Sequence, residues 1–199
     1  MGLFTFSDWS QSVSRPSAKQ VLTYMSRCPE IDALNVEGLY CVSSTTVGDD
    51  TPRTVYVTEE VWAVIKEPFS DDAEGQSHAR FRQNIDSFLE GFEFTVAQDP
   101  FCKPWDADIA RVDPIENELW DFRVLWDPDG DPHPGIRCLG GFWSQDTFVA
   151  ITWDYRDNFD GHWNDEIDRC RRRWRDLFGA REPLKRSQLD EYLTNFDPV

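Results

Sequence analysis

The chain has 199 residues, 40% of them hydrophobic, which is enough for one main hydrophobic core. Its 37 acidic residues against 20 basic ones give a formal net charge of −17. Such a surface repels nucleic-acid phosphates at long range, so generic nucleic-acid binding is disfavoured unless the arginines gather in one place.

Hydropathy and cysteine usage further limit the class of protein to which this chain can belong. No apolar stretch reaches the roughly eighteen residues of a membrane span, and the first residues show no basic leader before an apolar segment. We therefore expect a cytoplasmic protein without a membrane partner. The five cysteines are odd in number and form no CxxC pair, which favours single buried thiols over a disulfide or zinc framework. No cofactor and no metal is expected.

The first 54 residues are interpreted as a separate N-terminal layer. A short helix around "SAKQVLTYMSRC" is followed by the strands "GLYCVSS" and "RTVYVT", with the turn-rich "TTVGDDTP" between them. The next segment, "HARFRQNIDSFLEGF", predicts a helix capped by Ser77 and ending near Gly91. Its apolar face is formed by Phe81, Ile85, Phe88, Leu89 and Phe92. Residues 94 to 115 read as irregular and punctuated by prolines.

Alternating side chains in "LWDFRVLW", "GIRCLGGFW" and "DTFVAITW" predict three consecutive strands with short links. Such strands form an antiparallel meander. The helix predicted over "GHWNDEIDRCRRRWRDLFG", with Asn164 as its cap and Gly179 at its end, would pack on this sheet. A short terminal helix is expected in "SQLDEYLTNF". The predicted fold class is α+β, an antiparallel sheet packed against helices.

The loop "DPDGDPHPG" between the first two strands places Asp127, Asp129 and Asp131 at every second position. A calcium loop of the EF-hand kind needs a glycine next and a glutamate later, where this chain has Pro132 and Cys138. We therefore interpret the segment as a hairpin turn.

The predicted hairpin brings two arginines close together. If it closes near Asp131, Arg123 and Arg137 are diagonal neighbours on one face of the sheet. Two adjacent guanidinium groups repel each other unless an anion lies between them. That anion is either a carboxylate of the protein, such as Asp121 or Asp154, or a phosphate from outside.

Three further polar residues follow the third strand. Tyr155, Arg156 and His162 are expected to cluster at its exit and to offer a phenol, a cation and a side chain that titrates near neutrality. Such groups can cleave RNA without metal through attack of the ribose 2′-hydroxyl. A histidine near a helix start also has a purely structural interpretation.

The order of these parts resembles the RelE/HigB group of toxins. The resemblance rests on "LWDFR" (119–123), "GIRCL" (135–139), "TFVAITW" (147–153) and "DEIDRCRRRW" (165–174). It implies a RelE-like core over 55–180, an N-terminal extension over 1–54 and a C-terminal helical tail over 181–199.

Members of that group cleave mRNA, usually on the ribosome, and are neutralised by a small antitoxin that often carries a helix-turn-helix. The resemblance makes Arg123 and Arg137 the basic strand residues and places Tyr155 and Arg156 where the group has a lysine pair. His162 has no counterpart in the group's motifs and rests on the chemical argument alone.

Two other functions stay open at this stage. A catalytically inactive member could bind a basic protein partner through tryptophans near the surface, around Trp143, Trp153 and Trp163. An acidic decoy could instead imitate a nucleic acid toward a DNA-binding enzyme.

Overall fold

The computed structural model describes residues 29–102, 104, 106–124 and 135–199, and within them the chain forms an α+β fold. The described residues form one sheet of eight strands: β1 (Leu39–Val42), β2 (Thr54–Thr58), β3 (Phe94–Ala97), β4 (Ile109–Arg111), β5 (Trp120–Val124), β6 (Ile136–Ser144), β7 (Thr147–Tyr155) and β8 (Phe196–Pro198). Their order across the sheet is β1-β2-β7-β6-β5-β4-β3-β8.

The sheet is mixed, whereas the sequence predicted an antiparallel one. β2 runs parallel to β7, and β3 runs parallel to both β4 and β8. The other neighbours are antiparallel. Parallel neighbours need long connections, and the one from β2 to β7 runs through two helices and four other strands.

Helices cover both faces of the sheet. The structure has α1 (Pro29–Leu34), α2 (Glu59–Ile65), α3 (Ala73–Leu89) and α4 (Trp163–Phe178). One core cluster joins Val61 of α2 and Phe88 of α3 to the sheet, and a second joins Trp174 of α4 to the other face. Among the residues described, none of these helices is long and apolar enough to cross a lipid bilayer.

The two long helices were predicted, but their starts differ from expectation. The side chain of Asp72 caps α3 by accepting a hydrogen bond from the Gly75 N–H at 2.8 Å, and Ser77 lies inside the helix. Phe92 was predicted on the buried face, yet it follows the helix and is 59% exposed. In α4 the cap position is His162 rather than Asn164, and the helix ends at Gly179 as predicted, with a positive φ of 64°.

Residues 94–115, which read as irregular, contain β3 and β4. The tail forms a 3-10 helix (Leu189–Glu191) and then β8, instead of the expected terminal helix. These strands have three or four residues each, too few for a period-two pattern to stand out. The loop with Asp127, Asp129 and Asp131 lies outside the described residues, so its interpretation as a turn stays a prediction.

A buried arginine fastens the tail to the rest of the fold. Arg53, directly before β2, is 1% exposed. Its guanidinium donates to the carbonyls of Phe92 at 2.8 Å and Asn195 at 2.9 Å, and also to that of Thr194. The guanidinium therefore joins the end of α3 to the segment just before β8.

Candidate functional site

Arg123 and Arg137 face each other directly across β5 and β6. The sequence placed them as diagonal neighbours, with Arg123 opposite Leu139; the observed register differs by two residues. Because side chains alternate with a period of two along a strand, such a shift keeps both arginines on one face. That face carries α4, and the Arg137 guanidinium carbon lies 5.4 Å from the ring centre of Trp163 at the helix start.

A buried carboxylate lies between the two guanidinium groups. Asp121 is 0% exposed, and its Oδ2 accepts hydrogen bonds from Arg123 Nε at 2.9 Å and from Arg137 Nη1. Its Oδ1 has no hydrogen-bond partner among the described residues. One carboxylate for two guanidiniums leaves one positive charge of this trio uncompensated. The protein itself therefore supplies an anion between the arginines, as the sequence allowed.

The two arginines form one wall of an open cleft with a volume of about 510 Å³. Arg156 lines the same cleft, together with Asp160 and the aromatic side chains of Phe159 and Trp163. Arg156 is exposed, and its backbone N–H donates to the Gly135 carbonyl at 2.8 Å, which fixes its position just beyond β7. Three arginines and one exposed aspartate thus line this cavity, which we call the arginine cleft.

The first turn of α4 adds to the positive potential. Trp163, the first residue of this helix, lines the cleft, and the cap residue His162 makes no side-chain hydrogen bond to the free N–H groups behind it. Free N–H groups at a helix start attract anions. Asp165 and Glu166 in the same turn offset part of this attraction.

Tyr155 lies on the opposite face of the sheet, so the predicted grouping of Tyr155 with the arginines is wrong. Arg137 is paired with Asp154 and Ile136 with Tyr155, and the alternation along β7 turns Tyr155 toward α3. There its Oη lies 3.2 Å from Nε2 of His78. Burial, reinforced by the Glu74 carboxylate, raises the pKa of Tyr155 to about 12, so the phenol keeps its proton at neutral pH.

His162 is also separate from the cleft wall. Its side chain is 71% exposed and its Nδ1 lies 3.5 Å from the Asp165 carboxylate. The neighbouring Gly161 and Trp163 line the cleft, so His162 is at its rim. Of the five predicted site residues, the structure brings together Arg123, Arg137 and Arg156.

Several residues near the site were not predicted as part of it. Asp160 lies between two predicted residues and could have been found from proximity in the sequence. Pro104 could not, because its carbonyl reaches Arg123 Nη1 at 3.2 Å only through the tertiary fold. Trp143 was expected near the surface, but it is 3% exposed and packs against Phe178 with ring centres 4.9 Å apart.

Within the described ranges, no three His, Cys, Asp or Glu side chains are grouped so that they could hold a metal ion. Comparison of the chain with family models, with curated proteins and with solved structures gives no match. The functional argument therefore rests on the cleft itself.

Proposed function

We propose that the arginine cleft binds the phosphate group of a ligand of nucleotide size, and that ribonucleotides, free or within an RNA strand, are the ligand class. The observation that carries this proposal is the convergence of Arg123, Arg137 and Arg156 on one cleft that also receives the start of α4. Guanidinium groups match the geometry of phosphate oxygens.

Size and charge argue for a small ligand. Pockets of about 300–1,000 Å³ hold molecules of drug or nucleotide size, and the cleft lies in that range. Trp163, which is partly exposed, offers an aromatic surface on which a base could stack, and the buried Phe159 packs against it with ring centres 5.2 Å apart. The net charge of −17 opposes the approach of a long polyanion. One or a few nucleotides therefore suit this site better than a duplex.

The second candidate function is metal-independent cleavage of mRNA by a toxin-like protein with a RelE-like core, in which β5, β6 and β7 are the antiparallel strands. The observation that favours it is His162 at the rim, because cleavage needs a general base close to the bound phosphate. The ribosome and a helix-turn-helix antitoxin are the partners that this candidate proposes. Tyr155 has no role in it.

The first test measures binding of uridine monophosphate, inorganic phosphate and uridine by calorimetry. We expect the first two to bind and uridine to bind far more weakly. Arg156→Ala should weaken binding of the monophosphate about tenfold, since a hydrogen bond to a charged group contributes about 1.5–3 kcal/mol. Arg156 is chosen because it is exposed, whereas Arg123 and Arg137 hold the buried Asp121.

Arg172→Ala is the matched control, since Arg172 is an exposed arginine of α4 that does not line the cleft. It should leave the affinity unchanged. Equal affinity of the native protein and Arg156→Ala for uridine monophosphate would contradict the proposal.

The second test separates binding from cleavage. A single-stranded RNA is incubated with the protein in the presence of a chelator, and the products are resolved on a gel. Cleavage that is lost in both Arg156→Ala and His162→Ala supports the endoribonuclease candidate. Intact RNA, in a sample that still binds uridine monophosphate, removes cleavage of free RNA from that candidate and leaves the binding function.

A further inference from the structure

A second open cavity, of about 540 Å³, lies beside β3, β4 and β8. Arg111, the last residue of β4, lines it and lies on the face that carries α3, because its strand partner Trp120 belongs to that core cluster. The arginine cleft lies on the opposite face. We propose that this second cavity, the β8 groove, binds an uncharged molecule that has an apolar body and one hydrogen-bond acceptor.

Exposed apolar side chains gather at this groove. Phe101 is 82% exposed, Ile115 44% and Val199 46%, and all three line the groove. Its walls are completed largely by Val96, Pro100, Leu189 and Pro198. Apolar surface concentrated in one concave place is typical of a ligand site, whereas single exposed apolar residues are ordinary.

The polar residues that line the groove are Gln98, the exposed Asp99 and Arg111, and Arg111 belongs to a buried ion pair. Arg111 is 9% exposed, and its Nη2 donates to Glu118 Oε2 at 2.6 Å. Tyr192 donates to the same oxygen at 2.8 Å. Among the described residues, Arg111 Nε and Glu118 Oε1 have no hydrogen-bond partner. Arg111 is the charged donor among the lining residues of the groove, so its guanidinium is the group to which a ligand's acceptor would bind.

The ion pair also limits which ligand charge the groove can accept. Because Glu118 already neutralises Arg111, an anionic ligand would add a second negative charge beside one guanidinium. The net charge of −17 opposes an anion as well. A cationic ligand would meet the Arg111 guanidinium, which opposes it more closely than the solvent-screened, exposed carboxylate of Asp99 attracts it. A carbonyl or hydroxyl group on an apolar body avoids both penalties.

The test uses N-phenylnaphthylamine, an uncharged dye whose fluorescence rises in apolar sites, and displaces it with dodecanol, dodecanoate or dodecylamine. We expect the dye to bind and dodecanol to displace it at concentrations about tenfold below those needed for either charged compound. Ile115→Glu and Phe101→Asp should each weaken dye binding about tenfold, because each places a charge on the apolar wall.

Phe92→Asp is the matched control, since Phe92 is 59% exposed and lies outside the groove. It should bind the dye like the native protein. The proposal is overturned if the native protein does not bind the dye, if the groove variants bind it as well as Phe92→Asp does, or if dodecanoate displaces it as readily as dodecanol. None of these substitutions should alter binding of uridine monophosphate.

Discussion

The cleft depends on a single side chain, Asp121, which is completely buried and binds two arginines at once. Without its carboxylate, Arg123 and Arg137 would oppose each other directly across neighbouring strands. Like charges in that position are destabilising. Asp121 therefore holds both guanidinium groups in position in the cleft, where a ligand would bind them.

We expect Asp121→Asn to lower the free energy of unfolding by about 3 kcal/mol, because breaking a buried ion pair leaves uncompensated charge in the interior. Urea unfolding measures the change. Asp157→Asn, at an exposed aspartate near the same cleft, should change stability by less than about 0.5 kcal/mol. A similar small change for Asp121→Asn would show that the arginines do not need the carboxylate.

A second prediction at the scale of the residue concerns His78 and the pH dependence of stability. Burial lowers the pKa of its imidazole below the ordinary value, although Glu74 and Asp72 oppose the shift. The unfolded chain then binds the proton more readily than the folded one, so stability rises with pH and the gain is complete above about pH 6.5. Urea unfolding below and above about pH 6.5 should show that the free energy of unfolding rises with pH in the native protein. The rise should be smaller in His78→Asn. A pKa above the ordinary value, measured by NMR titration, would contradict this.

At the scale of elements, one carboxylate joins helices that belong to opposite faces of the sheet. Glu60 of α2 accepts hydrogen bonds from Arg169 of α4 at 2.6 and 2.7 Å, and also binds Arg173. The two arginine side chains are 35% and 40% exposed, so solvent screens these interactions. The contact nevertheless links the two helical layers by a route other than the sheet.

Glu60→Gln should lower the free energy of unfolding by about 1 kcal/mol at low salt, and by less at high salt, as is typical of partly exposed ion pairs. Glu59→Gln removes an exposed charge from the same first turn of α2 and serves as the control. Equal effects of the two substitutions would mean that the bridge to α4 contributes nothing beyond the helix dipole.

The elements that sequence predicted best are those with long repeated patterns. The three central strands and the helices α3 and α4 were predicted because each repeats its apolar spacing over several turns or pairs. β3, β4 and β8 are too short to show a pattern, and their partners are far away in the chain. At the site, sequence predicted that Arg123 and Arg137 share a face. The same alternation applied along β7 would have excluded Tyr155, had the pairing of Arg137 with Asp154 been known.

At the scale of the whole molecule, the arginine cleft is a small positive region on a strongly acidic protein. Its three arginines offer contacts for about one or two phosphates, while the net charge of −17 opposes the approach of the remainder of a strand. The protein should therefore differ from a typical RNA-binding domain in how its affinity depends on salt and on strand length.

We expect the logarithm of the affinity for single-stranded RNA to fall with the logarithm of salt concentration with a slope of about −0.7 to −1.4, the values for one or two neutralised phosphates. The affinity for a long strand should exceed that for a single nucleotide by less than about tenfold. Fluorescence titration over a series of strand lengths and salt concentrations measures both. A slope of several times that size would indicate an extended basic surface instead.

The hydrogen bonds of Arg53 have a consequence for when the protein folds during its synthesis. Two of the carbonyls that bind this guanidinium belong to Thr194 and Asn195, and the strand that pairs with β3 at the edge of the sheet follows them. While a ribosome still encloses these residues, the buried guanidinium keeps Phe92 as an acceptor but lacks the two tail carbonyls, and β3 has no partner on its β8 side. We therefore expect the complete sheet and the full set of Arg53 hydrogen bonds to form only after residues 194–198 have emerged from the exit tunnel.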